Sequence, residues 1–253
     1  VRKAGVPDDL RDRISQAYGE LSPTPVSVAV RSSATAEDTD ETSFAGMHES
    51  FLDVRSLDSL VDRIVDCWAS LFSPRVITYR ASQGLSDEPS IAVVVQRRVA
   101  ADRAGVMFTV NPATGDAGLI VVEAATGLGE VVVSGAVEPD TYVVDRRSGH
   151  VVDARTGSQG FELVALADGS VDRRRLVPRD PDERVLDDEE VEAVARLGVD
   201  VERHYGRPQD IEWAFAGDQL YLLQSRPITT LGDEAGGRAG SEDAGETVLV
   251  RGM

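Results

Sequence analysis

Helical and strand periodicities come in blocks along this chain instead of alternating, and that constrains the fold more than any other feature. In the first third, apolar residues recur every three or four positions, first as Leu10, Ile14, Ala17 and Leu21, then as Leu57, Leu60, Ile64, Trp68 and Leu71. Such spacing lines one face of an amphipathic helix. Pro7 and the acids Asp8 and Asp9 suit the start of the first helix, and Pro23 and Pro25 end it. Ser73-Pro74 opens a further helix, with serine as N-cap and proline at the first helical position. One strand, Val26 to Val30, interrupts this block and leads into a polar loop, Ser32 to Asp38, and a short strand runs from Phe51 to Val54. Strand patterns then dominate. Ile91 to Gln96 and Gly105 to Val110 read as buried strands, and shorter ones follow at Leu119 to Glu123, Thr141 to Asp145, Val151 to Asp153 and Phe161 to Val164. A helix returns from Asp187 to Tyr205, and Gln209 to Phe215 with Gln219 to Gln224 form a strand pair around Gly217-Asp218. Without a regular βαβ alternation, the expected class is α+β, with mixed or antiparallel sheets and flanking helices.

Composition narrows the function. The net charge of −18 repels phosphate backbones, which argues against nucleic acid as a partner. No apolar run approaches the roughly 18 residues that cross a bilayer, so no membrane association is expected. Cys67, the single cysteine, excludes an internal disulfide, fits a reducing cytoplasm and reads as a small buried residue of a helix. Lys3 is the only lysine, so nearly every cation is an arginine. High-salt adaptation and codon bias both account for that.

His48, His150 and His204 are far apart in sequence, and HExxH, CxxC, GxSxG and P-loop patterns are all missing. What remains is polar residues at strand ends. Period two sends Gln224 and Arg226 to one side of a strand, and a neighbouring strand brings Glu212 beside them. A carboxylate and an amide oxygen suit Mg²⁺, and a guanidinium suits phosphate. A capped hairpin carrying a surface salt bridge fits the same spacing. Arg31-Ser32-Ser33 and the stretch from Phe44 through Gly46 to Ser50 offer hydroxyls, a guanidinium and glycine amides that can cradle phosphates, or make an ordinary turn-rich loop. Gly127-Leu128-Gly129-Glu130 permits close backbone approach, as glycine turns commonly do.

Taken together, these segments resemble the pyruvate-phosphate/water dikinase family, in its ATP-grasp nucleotide-binding domain. The matching stretches are 30–38, 43–54, 105–112, 127–135 and 204–230, in the expected order over about four fifths of the chain. The resemblance implies that Arg31 and Arg226 hold ATP phosphates and serve catalysis by charge neutralisation. It implies that Gly46 and Ser50 line a phosphate loop, that Gln96 lies near adenine, and that Glu212 and Gln224 contact the nucleotide and its Mg²⁺. It implies transfer of phosphoryl groups from Mg-ATP, through a carrier histidine on a mobile domain, to pyruvate, yielding phosphoenolpyruvate, AMP and phosphate.

Departures from that pattern matter. The family's glycine-rich N-terminal segment with its ATP-binding lysine, its carrier histidine and its pyruvate-binding barrel are absent from these 253 residues. The expected division is a nucleotide-binding domain at 1–231 lacking its N-terminal part, a linker rich in glycine and acids at 232–246, and the start of the carrier domain at 247–253. A short linker there favours the phosphoenolpyruvate synthase branch over the rifampin phosphotransferases, which insert an antibiotic-binding domain at that point. A nucleotide-binding fragment without catalysis is the third reading.

Overall fold

The computed structural model describes residues 2–3, 5–22, 26–34, 38–39, 42–43, 50–82, 90–166, 170–180 and 182–228, with backbone alone at 34, 38–39, 42–43 and 50. The first block holds α1 (Asp8–Leu21), β1 (Val28–Ala34), β2 (Asp38–Thr39), β3 (Thr42–Ser43), β4 (Ser50–Val54), α2 (Leu57–Ser70) and α3 (Pro74–Ser82). The middle holds β5 (Ile91–Arg97), β6 (Arg103–Phe108), β7 (Leu119–Thr126), α4 (Glu130–Val133), β8 (Asp140–Asp145), β9 (Val151–Arg155), β10 (Phe161–Ala165) and β11 (Val171–Arg175). It closes with α5 (Asp188–Tyr205), β12 (Gln209–Ala216) and β13 (Gln219–Pro227). Every paired strand among the described residues is antiparallel, as an α+β chain without βαβ units requires. No helix among them is long and apolar enough to cross a membrane.

Two sheets with separate cores organise the chain. The smaller has the order β4-β1-β5 and packs one face on α2, where Val28, Val30, Val54, Leu60, Ile64 and Cys67 are buried. The larger has the order β13-β12-β6-β7-β8-β9 and packs one face on α5. Helix α5 forms because its ends are satisfied locally. Asp187 and Glu190 make a reciprocal capping box, three acids occupy the first turn, and Gly206 ends the helix at φ 69°. Its buried side, Val191, Val194, Ala195 and Val201, meets Met107, Ile120, Tyr142, Ile211 and Trp213 of the sheet. Each large side chain buried there contributes about 1.5–3 kcal/mol relative to exposure.

The opposite face of the large sheet is covered differently. At one end α4 and the β10–β11 hairpin pack on it through Leu128, Val131, Phe161 and Leu163. The hairpin is pinned by Gly127, at φ 81°, where an added Cβ would lie 2.4 Å from the Leu163 carbonyl oxygen, while Leu128 N–H donates to that carbonyl. The close backbone approach permitted by this glycine pair is therefore made to the hairpin. Arg98, whose side chain is only 8% exposed, lies 3.4 Å from Asp53 at the end of β4 and 3.4 Å from Glu130 of α4. It ties the small sheet to the large one.

Three expectations need correcting. Arg31, Ser32 and Ser33 lie inside β1, not in a loop after it, because β1 is the central strand of its sheet and pairs with β5 as far as Ala34. Strand β5 is not fully buried: it sits at the sheet edge, and its residues alternate between half-buried and exposed. The run after Gly129 is a helical turn, α4, not a turn alone. Pro23, Pro25, Gly46 and His48, the linker 232–246 and the segment 247–253 lie outside the described residues.

Close packing of the large sheet has a direct test. A methyl group at Gly105 would fall 1.8 Å from the Glu123 carbonyl oxygen and 2.8 Å from Cζ2 of Trp213. Gly105→Ala should therefore lose about 3 kcal/mol or more in denaturant unfolding. Gly19→Ala in α1 meets nothing within 4 Å and should instead gain about 0.5–1 kcal/mol from helix propensity. Equal stability of the Gly105 variant and the wild type would contradict the close approach.

Candidate functional site

The site begins with register. In β12 and β13, Glu212 pairs with Gln224 and Asp210 with Arg226, so all four stand on one face. This follows from alternation: Ile211 and Trp213 between them are fully buried against α5, so their neighbours must face away. A bulge supports the arrangement. The register shifts between Glu212 and Trp213, leaving Leu223 as the extra residue of β13. Leu223 packs into a small apolar cluster with Ala104, Leu128 and Ala214.

Residues directly opposite one another continue as a row across the sheet: Gln224, Glu212, Val106, Glu123, Thr141 and Arg155. The next row carries Arg226, Asp210, Phe108, Val121, Val143 and Asp153. The first row meets the cover of α4 and β10 at Val106, which packs with Val131, Val132 and Phe161, while most side chains of the two rows are half-buried or exposed.

The small sheet supplies the missing cation. Arg31 lies in mid-β1, on the opposite face from Val28 and Val30, which are buried against α2. Its guanidinium crosses to the large sheet, where Nη1 donates to Gln224 Oε1 and Nη2 to Glu212 Oε2, the latter at 3.2 Å. Arg31 and Glu212 are each about one fifth exposed, at 21% and 23%. Gln96 of β5 reaches the same junction, donating from Nε2 to the Leu223 carbonyl at 3.1 Å. Arg226 lies two residues along β13 from Gln224 and grips Asp210, with Nε and Nη2 at 2.8 and 2.7 Å from Oδ2.

The sequence-derived candidates therefore divide clearly. Arg31, Glu212 and Gln224 are brought into direct contact, with Gln96 and Arg226 beside them. Ser50 is paired with Arg31 in the β1–β4 ladder, and Gly46 lies outside the described residues. Two acids were missed. Asp210 was legible, because it stands two positions before Glu212 in an alternating strand and so shares its face. Glu123 was not, since only strand order places it two strands from Glu212, about 10 Å away at ~4.8 Å per strand.

Chemically, the face offers carboxylate and carboxamide oxygens, hard donors suited to a divalent cation, beside two guanidinium groups suited to phosphate oxygens. Burial pushes the Glu123 carboxyl above its ordinary value of 4.5, the charge of Asp210 pushes it the same way, and Arg155 opposes both. A raised folded-state pKa means that the fold favours the protonated carboxyl. That stability is fully present below pH 4.5 and is lost as the pH rises through the folded-state value. Glu123→Gln should therefore melt at a higher temperature than the wild type at pH 7.5, with the gap closing as the pH drops towards 4.5. An unchanged or lower melting temperature at pH 7.5 would contradict the burial of this charge.

Comparison with known proteins shows the family of the chain. Residues 1–246 match the family described as the pyruvate phosphate dikinase AMP/ATP-binding domain. A probable phosphoenolpyruvate synthase of Archaeoglobus fulgidus is 46% identical over 90% of this chain and 30% of its own length. The phosphoenolpyruvate synthase of Pyrococcus furiosus is 40% identical over the whole chain and 33% of its own length. A rifampicin phosphotransferase of Bacillus subtilis is 35% identical over 91% of the chain and 26% of its own length. The chain thus spans about a third or less of each of these relatives. With its match running over nearly all 253 residues, the chain belongs to the pyruvate phosphate dikinase AMP/ATP-binding domain family.

Proposed function

We propose that this face binds Mg-ATP, and that the chain is the nucleotide-binding part of an enzyme that makes phosphoenolpyruvate. The observation that carries the reading is the meeting of Arg31 with Glu212 and Gln224, across 181 and 193 residues of sequence respectively. In this reading the two sheets act as the two walls of an ATP-grasp cleft. Arg31 and Arg226 hold phosphate oxygens and neutralise the charge that develops as a phosphoryl group leaves, which is most of what phosphoryl transfer asks of a protein. Gln96, at the junction of β5 and β13, borders the adenine, and Gly46 with Ser50 lines the phosphates.

The donor set fits Mg²⁺. Glu212 contributes a carboxylate and Gln224 an amide oxygen on adjacent strands, a small number of protein ligands for an ion that keeps waters and phosphate oxygens as its other partners. Bound there, the ion would neutralise phosphate charge. Asp210 orients Arg226 through a two-nitrogen grip on one carboxylate oxygen.

The rest of the cycle belongs to the whole protein. A carrier histidine on a further domain, joined through 232–246 and beginning at 247–253, takes a phosphoryl group derived from ATP and delivers it to pyruvate, while water accepts the second phosphoryl group as phosphate and AMP is released. The matches to phosphoenolpyruvate synthases support this acceptor, and a cytoplasmic setting is part of the same proposal. The similarity to a rifampicin phosphotransferase supports rifampicin as a second acceptor to be tested.

In the full-length protein, Arg226→Ala should lower pyruvate-dependent AMP formation by about 100-fold or more, the scale seen when a charge-stabilising donor is removed. Wild-type activity in that variant would remove the assignment of Arg226. AMP formation that depends on rifampicin and not on pyruvate would move the whole protein to the antibiotic-modifying reading.

A further inference from the structure

The two side chains that the proposed function gives to Mg²⁺ are the two that hold the guanidinium of Arg31. Nη1 takes the Gln224 amide oxygen and Nη2 takes Oε2 of Glu212. A guanidinium and a divalent cation repel each other, and they compete here for the same two acceptors on adjacent strands. Arg31 also has a reason to leave. Its Nε is buried and has no hydrogen-bond partner among the described residues, so its present arrangement satisfies the two terminal nitrogens and strands the third. A phosphate oxygen, which accepts from a guanidinium through two nitrogens at once, offers Nε what Glu212 and Gln224 do not. The backbone of Arg31 cannot follow the side chain, because β1 is hydrogen-bonded on both sides, to β4 and to β5. Release is therefore a side-chain rotation, a fast and local motion.

We infer that Arg31 gates the metal seat: its guanidinium excludes a divalent cation from Glu212 and Gln224 until a polyphosphate draws it away. The inference rests on the nucleotide-binding reading of this face and adds an order to it. Metal and nucleotide enter this seat together, because each removes the obstacle to the other, and the coupling is reciprocal. The guanidinium also keeps the Glu212 carboxylate neutralised before the metal arrives, so the half-buried acid is never left without a counter-charge.

The test is Mn²⁺ binding without nucleotide, followed by water-proton relaxation, on the 253-residue chain and its variants. The acidic surface, net −18, will collect Mn²⁺ weakly in every variant, and the double variant Arg31→Met/Glu212→Gln measures that background. Arg31→Met should bind one Mn²⁺ at least tenfold tighter than the wild type, and the double variant should lose the gain. Equal binding by Arg31→Met and the wild type overturns the gate. Arg31→Gln, which keeps a neutral donor beside Glu212, repeats the comparison if methionine disturbs folding. The wild type alone supplies a further measurement, because Mn²⁺ bound at this seat as tightly without ATP as with it also overturns the gate.

The underlying reading is tested separately by ATP binding in the presence of Mn²⁺, which Glu212→Gln should weaken at least tenfold. If Glu212→Gln weakens ATP binding while Arg31→Met gains no metal, only the gate falls. If neither variant changes anything, the nucleotide site itself is wrong and the gate goes with it.

Discussion

The guanidinium of Arg31 bridges two sheets that have separate hydrophobic cores. Arg31 starts from the centre of a three-stranded sheet packed on α2 and ends on a carboxylate and an amide of a six-stranded sheet packed on α5. Hydrogen bonds to charged groups contribute about 1.5–3 kcal/mol each, enough to bias how two such bodies meet but little beside the cores themselves. The junction is thus defined by polar contacts on a foundation that does not depend on them. Such a division suits a cleft, because the walls stay rigid while the contacts between them exchange for a ligand.

The charges on the open face of the large sheet are arranged in opposition. Arg226 is matched by Asp210, Arg31 by Glu212, and Arg155 opposes the repulsion between Asp210 and Glu123. In a chain with net charge −18, this face sets arginines among acids in a half-buried place, as the pairs Arg103–Glu190, Arg146–Glu202 and Arg179–Asp140 do elsewhere. An overall acidic surface repels a polyphosphate at long range, so attraction must come from groups close enough to escape screening, within about 10 Å at ordinary ionic strength. A second link between the sheets, Arg98 between Asp53 and Glu130, lies at the α4 end of the same junction. Asp53 is held below the usual carboxylate range chiefly by its hydrogen bonds from Arg55, with Arg98 adding to the effect. Two arginine contacts at different points along the junction resist relative twisting of the sheets better than one.

Much of this was legible in the chain itself. Helix α5 declared both its ends, because Asp187, Glu190 and Gly206 act through neighbours three or four residues away. The β12–β13 hairpin was legible for the same reason, and with it the common face of Glu212, Gln224 and Arg226. Reading failed where the deciding partner was distant. Ser32 and Ser33 have the composition of a loop, yet hydrogen bonding to β5, about sixty residues on by the ladder register Ser32 to Val93, holds them extended, a case of tertiary pairing overriding local preference. Strand β11, with three consecutive arginines, carries no apolar period and is a strand only because β10 pairs with it.

What the sequence by itself determined, then, is everything set by period and by near neighbours: the class of fold, most element positions, and which residues of the closing hairpin share a face. Family resemblance extended that to an expectation for Arg31, Gly46, Ser50, Gln96, Glu212, Gln224 and Arg226. The tertiary structure alone decided that Arg31 reaches Glu212 and Gln224, that Leu223 bulges to keep them opposed, and that Glu123 shares their sheet face. The reason is physical. Alternation along a strand assigns each side chain to one of two faces, but which strand lies next, and what packs above it, depends on the burial of apolar surface across the whole chain.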